Sequence, residues 1–278
     1  MEQRKLIQFG TNSFVVSIPK KWLSRNNLGK GDPLYIQDLG SSLNIRSNIG
    51  KPTADQREIH IDGTEHIESI KLRILTAYIN NIRRIIIMNP QEQSGAIRSI
   101  LHGVIALEIV EQTPQVIVAQ DYLDMHQISV KELFRQVDVI LRSMLADINH
   151  ALTEPASPRR SRIGADLTAR DQDINRLVVL ALRTITYRLR NLEEHDPAHL
   201  LKQWEAFYTL EKTGDEVKRI GRLITQADLT AKQDIMYILK DIEELYTEIM
   251  EIHYLSDKEA AYRLAAKKAQ RMERLQHL

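Results

Sequence analysis

The chain has 278 residues and a mass of 32.1 kDa, with 43% hydrophobic and 27% charged residues, a globular make-up that excludes wholesale disorder. It contains no cysteine, which excludes disulfides, thiolate metal sites and a cysteine nucleophile, and no apolar run approaches the ~18–20 residues that span a bilayer. The net charge is only +1, but residues 1–48 hold seven basic against three acidic side chains, residues 49–127 hold seven against ten, and the remainder is balanced.

Met1-Glu2-Gln3-Arg4-Lys5 lacks the apolar pattern of a secretory signal, so a cytoplasmic protein without membrane insertion is expected. A small basic segment ahead of a neutral body is the charge pattern of a nucleic-acid reader with an attached sensor or scaffold. Lys5–Phe9 and Phe14–Ile18 read as strands around Gly10. Pro19 suits the first position of a helix reaching Asn26, with Trp22 and Leu23 inward and Lys21 and Arg25 on one outer face. Gly29 is the expected left-handed terminator. Pro33–Gln37 and Leu43–Arg46 are two further strands, joined around Gly40. This ββαββ unit of under fifty residues is too small to bury a core of its own, so it needs a partner, most simply a second copy.

After linker-like residues 48–55, strands are expected at 57–61, 83–88, 106–111 and 115–120, with helices at 65–80 and 92–103. The Ile85-Ile86-Ile87 run is that of a buried strand, and Thr113-Pro114 marks a hairpin. From Ser129 the period becomes 3.6. Leu133, Val137, Ile140, Met144, Leu145 and Ile148 line a first long helix, and 153–164 reads as a loop with a basic run, Arg159-Arg160-Ser161-Arg162. Further helices are expected at 166–192, 199–225, 228–255 with Ile235, Ile238, Ile242, Leu245 and Ile249 inward, and 257 onward. Long helices with short connectors make an antiparallel bundle.

Three resemblances imply a function for these elements. The stretch Arg4-Lys5…Gly10-Thr11-Asn12-Ser13…Ile18-Pro19-Lys20-Lys21-Trp22…Gly29-Lys30-Gly31-Asp32 resembles AbrB/SpoVT/MazE-type swapped-hairpin DNA-binding domains over residues 3–47. That likeness implies two chains interleaved in one β-barrel, with Arg4, Lys5, Asn12, Ser13, Lys20, Lys21 and Arg25 meeting duplex DNA. Members often carry arginine just after the turn glycine, where this chain has Thr11-Asn12-Ser13. The helical part resembles PhoU, best at Leu210-Glu211-Lys212-Thr213-Gly214-Asp215 and around Asp171 and Asp173. Ala77-Tyr78, Gly103 and Leu107–Glu111 resemble the segment that links the two parts in phosphate-uptake regulators. Glu211 and Asp215, four apart on one helical face, are the pair through which PhoU resemblance implies iron or zinc, with Asp171 and Glu244 as conceivable partners. Glu-x-x-x-Asp on a helix is also an ordinary solvated face.

The expected fold is therefore multidomain α+β: a dimeric swapped-hairpin barrel at 1–48, a small α/β connector at 56–127 and a PhoU-like bundle at 128–278. The nine histidines are scattered, and His195 and His199 straddle Pro197, a poor zinc geometry. With no nucleophile elbow, phosphate loop or dinucleotide turn, no enzyme is expected. The functional expectation is a homodimeric, DNA-binding regulator of phosphate uptake. Its alternative is a regulator that only dimerises through its N-terminal module and docks on a phosphate ABC transporter ATPase or a histidine kinase. An antitoxin is a third reading, which the long helical part opposes.

Overall fold

The computed structural model describes residues 4–11, 13–38, 43–46, 58–153, 158–190, 196–226 and 232–276, which divide into two units, Met1–Gln56 and Arg57–Leu278. The chain is mixed α+β, with small N-terminal sheets and a helical C-terminal region. Among the described residues no helix is long and apolar enough to cross a membrane.

In the first unit, β1 (Ile7–Phe9) and β2 (Ser13–Val15) pair antiparallel, with Ile7 opposite Val15 and Phe9 opposite Ser13. The turn between them uses Gly10 at φ 73°, where a side chain would be strained. Helix α1 (Lys20–Arg25) begins after Pro19, not at it: Pro19 has the helical φ of −59° but an extended ψ of 127°. It ends in a Schellman motif, in which the Leu28 N–H donates to the Leu23 carbonyl at 3.0 Å and the Asn27 N–H to the Ser24 carbonyl at 3.3 Å. The left-handed residue is Asn27, at φ 53°, rather than Gly29, because asparagine also tolerates that region. Strands β3 (Tyr35–Asp38) and β4 (Leu43–Arg46) form a second antiparallel hairpin, and the two hairpins are separate two-stranded sheets.

The second unit opens with a four-stranded sheet of β5 (Glu58–Asp62), β6 (Arg84–Met88), β7 (Leu107–Gln112) and β8 (Val116–Asp121), in the order β5-β6-β8-β7. The α2 helix (Ile67–Ile79) is the crossover that lets β5 and β6 run parallel, whereas β7 and β8 are a hairpin closed by the Thr113 N–H on the Val116 carbonyl. A 3-10 turn precedes α3 (Ser94–His102). Ile85 and Ile87 are fully buried with Ile61, Ile117 and Ala119, while Ile86 points to the opposite face and is half-buried.

Gly63 is fixed by backbone, not by side chains. A Cβ there would lie 2.8 Å from the Met88 carbonyl oxygen and 2.8 Å from Pro90 Cα. Gly63→Ala is therefore expected to destabilise this unit by about 1–3 kcal/mol, read as a lower urea midpoint followed by circular dichroism. An unchanged midpoint would show that the β5–α2 turn moves freely.

The helices are α4 (Val130–Thr153), α5 (Pro158–Leu189), α6 (Pro197–Gln226), α7 (Lys232–Leu255), α8 (Lys258–Ala266) and α9 (Lys268–Gln276). The expected stripe of α4 is buried, with only Ile140 partly open. Three expectations are corrected. The loop at 153–164 ends early: α5 starts at Pro158, a favourable first-turn residue, and buries Ile163 and Leu167 in the core, so the basic run lies within its first turns. The expected stripe of α7 is rotated by about one residue, with Leu239, Tyr246 and Met250 buried and Ile249 exposed. The cause is Asp138, which faces inward from α4 and accepts from the hydroxyls of Tyr246 at 2.9 Å and Tyr254 at 2.8 Å, and from Arg142 Nε at 2.9 Å. Burial and the Asp138 charge together push both tyrosines well above the usual phenol range. The single terminal helix is two, because the α8 helix, capped by Asp257, breaks at Lys267.

Sheet and helices share one core, and its centre is polar. Arg183 on α5 has no exposed surface and forms a two-pronged pair with Asp121 at the end of β8, Nη1–Oδ1 3.0 Å and Nη2–Oδ2 2.5 Å. Its Nε donates to Asn81 Oδ1 at 3.0 Å, and its guanidinium stacks 4.2 Å above the Tyr78 ring. Burial opposes the charge on Arg183, but Asp121 outweighs it and holds the guanidinium above its usual range.

Candidate nucleic-acid interface

The short α1 helix places Lys20, Lys21 and Arg25 on one small element, all exposed. Lys21 and Arg25, four residues apart, share a face. Arg25 in the last turn also complements the negative end of the helix dipole. Lys5 and Arg4 are exposed just ahead of β1. Among the described residues, none of Lys5, Lys20, Lys21 and Arg25 is held in an ion pair, so each is available to a phosphate. Ser13 opens β2 on the same face as Ile7, Phe9 and Val15, and Asn12 lies outside the described residues.

Around these cations the unit exposes its apolar side chains. Phe9 is 71% exposed and Phe14 66%, on opposite faces of the first hairpin, and Ile36 and Leu43 of the second hairpin are each 64% exposed. Trp22 and Leu23, expected inward, are half-buried. Aromatic and aliphatic residues on both faces of a hairpin cannot all be solvent-facing in a stable small domain. The arrangement is cationic side chains on a helix and strand end beside apolar surface that calls for a partner.

The other candidate residues lie on α6. Glu211 and Asp215 do share a face, but ammonium groups occupy it: Lys212 Nζ is 3.1 Å from Glu211 and 3.4 Å from Asp215, and Lys218 Nζ is 2.8 Å from Asp215 and 2.6 Å from Asp171. Asp171 is brought to Asp215, as conceived, through that lysine. Glu244 is not: it pairs with Lys240 on α7. Among the described residues no three carboxylate or imidazole groups converge as metal ligands, and this lysine-bridged set does not fit a resident iron or zinc ion. His199 is exposed, and His195 lies outside the described residues. The buried Asp121–Arg183 and Asp138 networks leave little trace in the sequence, where a charged residue inside an apolar stripe is the signal.

The first unit is thus a small hairpin–helix–hairpin module of the DNA-binding or regulatory kind. Residues 7–46 match the family model described as antidote-toxin recognition MazE, bacterial antitoxin, and form a MazE/AbrB-type antitoxin-like domain. No curated protein and no solved structure matches the chain.

Proposed function

We propose that this chain is a homodimeric, DNA-binding transcriptional regulator without enzymatic activity, whose N-terminal hairpins interleave with those of a second copy in one barrel. The observation that carries the reading is the exposed apolar surface of both hairpins beside Lys20, Lys21 and Arg25, which make no ion pair among the described residues. A second copy would bury the apolar surface, and a two-fold pair of α1 helices would present its cations to the phosphates of one duplex. A cytoplasmic location fits duplex DNA as the partner. The finer reading, control of phosphate uptake with the helices as sensor, rests on the resemblance to PhoU at 171–177 and 210–220. In its alternative form the N-terminal module only dimerises and the helices dock on a phosphate ABC transporter ATPase or a histidine kinase.

The deciding experiment combines sedimentation with retardation of DNA from upstream of the protein's own reading frame across a salt series. A dimer whose log affinity falls linearly and steeply with log salt is expected. A monomer, or a dimer that ignores DNA at low salt, would sink the reading, and recovery of a transporter ATPase or kinase in a parallel pull-down would favour the alternative. A second reading, the antidote of a toxin, is favoured by the description of the matching family, and stoichiometric co-purification of a small toxin would select it.

A further inference from the structure

Where α5 meets α6, side chains of α5 sit directly on the glycine backbone of α6. A Cβ at Gly214 would lie 3.1 Å from Ile174 Cδ1, and one at Gly221 would lie 2.1 Å from Leu167 Cδ1. Gly214, Lys218 and Gly221 are spaced i, i+4, i+7 and so share the face of α6 that meets α5. At this crossing the Lys218 ammonium bridges Asp171 of α5 and Asp215 of α6, with side-chain exposures of 15% for Lys218 and 8% for Asp171. Asn175 Nδ2 lies 3.4 Å from the same Asp171 oxygen. Burial opposes the charge on Lys218, but its hydrogen bonds to Asp171 and Asp215 outweigh that and hold the ammonium above the usual lysine range. The same lysine holds Asp215 below the usual carboxylate range.

Asp171 is buried and Asp215, at 37% side-chain exposure, is partly screened by solvent, so the cation between them chiefly compensates the buried carboxylate. The distances of 2.6 and 2.8 Å to a single nitrogen are only slightly longer than the ~2.1–2.6 Å bonds of hard divalent ions to oxygen. We infer that Lys218 is a tethered counter-cation taking the place of a divalent ion at the α5–α6 crossing, so that the helical unit is metal-independent and binds a divalent cation here only once that ammonium is removed. Methionine at 218 keeps most of the apolar stem and leaves the buried Asp171 facing Asp215 without the cation between them, the exposed Lys212 ammonium, 3.4 Å from Asp215, remaining on the outer side.

The test uses the full chain in four forms, wild type, Lys218→Met, Lys218→Arg and Asp171→Asn/Lys218→Met, with Mn2+ as the probe, read by equilibrium dialysis and thermal unfolding. Wild type and Lys218→Arg are expected to keep the same Tm with Mn2+ or EDTA. Lys218→Met is expected to melt roughly 6–12 °C lower, to bind one more Mn2+ per chain than wild type and to regain at least half of the loss in its presence. The double variant is expected to lose both the extra ion and the rescue. If Lys218→Met does not fold in metal-free buffer, refolding with Mn2+ is expected to restore it. A wild-type Tm that rises with Mn2+ and falls with EDTA overturns the inference, as does Lys218→Met without an extra ion or without rescue.

Discussion

Arg183→Met is expected to lower the stability of the Arg57–Leu278 unit by about 3–5 kcal/mol, seen as a Tm some 6–20 °C below wild type. The reason is what the substitution leaves behind. Asp121 is 2% exposed, and its two oxygens are held by the two terminal nitrogens of one guanidinium. Without that partner a carboxylate stays buried at the end of β8, and Asn81 Oδ1 loses its donor as well. The stacking over Tyr78 is lost at the same time, a further share of the total. The double variant Asp121→Leu/Arg183→Met removes charge and counter-charge together and is expected to recover most of the loss, since a buried ion pair is close to neutral against an apolar pair. A double variant no more stable than Arg183→Met would show that the cost came from packing volume rather than from an uncompensated charge.

The second large effect is on the proposed DNA contact. Lys20→Ala/Lys21→Ala removes two exposed cations per chain, hence four from a dimer bound to one duplex. Each phosphate contact contributes about 0.9 to the slope of log affinity against log salt, so the slope is expected to shrink by about 3–4. At roughly 0.1 M salt the affinity is expected to fall by about 10²–10⁴-fold. Both side chains are exposed and make no ion pair among the described residues, so the Tm should stay within about 1–2 °C of wild type. A variant with wild-type affinity and slope would remove α1 from the interface and leave the N-terminal unit as a dimerisation module alone.

Much of the architecture can be read along the chain because local rules decide it. Turn residues and β-branched runs mark β1 to β4 and the alternation of the sheet, and the 3.6 period marks α4 to α6. The MazE/AbrB-type module is legible as well, since its turn glycines and its Ile-Pro-Lys step are close in sequence. Gly10 takes its left-handed turn conformation wherever the rest of the chain lies. The places where reading fails are those where a distant residue wins. The α7 helix turns Tyr246 inward in preference to Ile249 because an acceptor on α4, more than a hundred residues earlier, needs its hydroxyl. Helix α5 extends back to Pro158 because Ile163 and Leu167 have a core to enter.

The charged residues divide the same way. By itself the sequence determined that a basic ββαββ segment of MazE/AbrB type precedes an α/β segment and a set of long amphipathic helices, since period, turn chemistry and charge are properties of neighbours. Only the tertiary structure decided which charges are partners. Asp121 and Arg183 are 62 residues apart and Asp171 and Lys218 are 47 apart, and electrostatic energy depends on distance in space and on burial, neither of which spacing along a chain encodes. That is why Glu211 and Asp215 read as a cation site in the sequence, while in the folded chain the cations beside them are its own lysines.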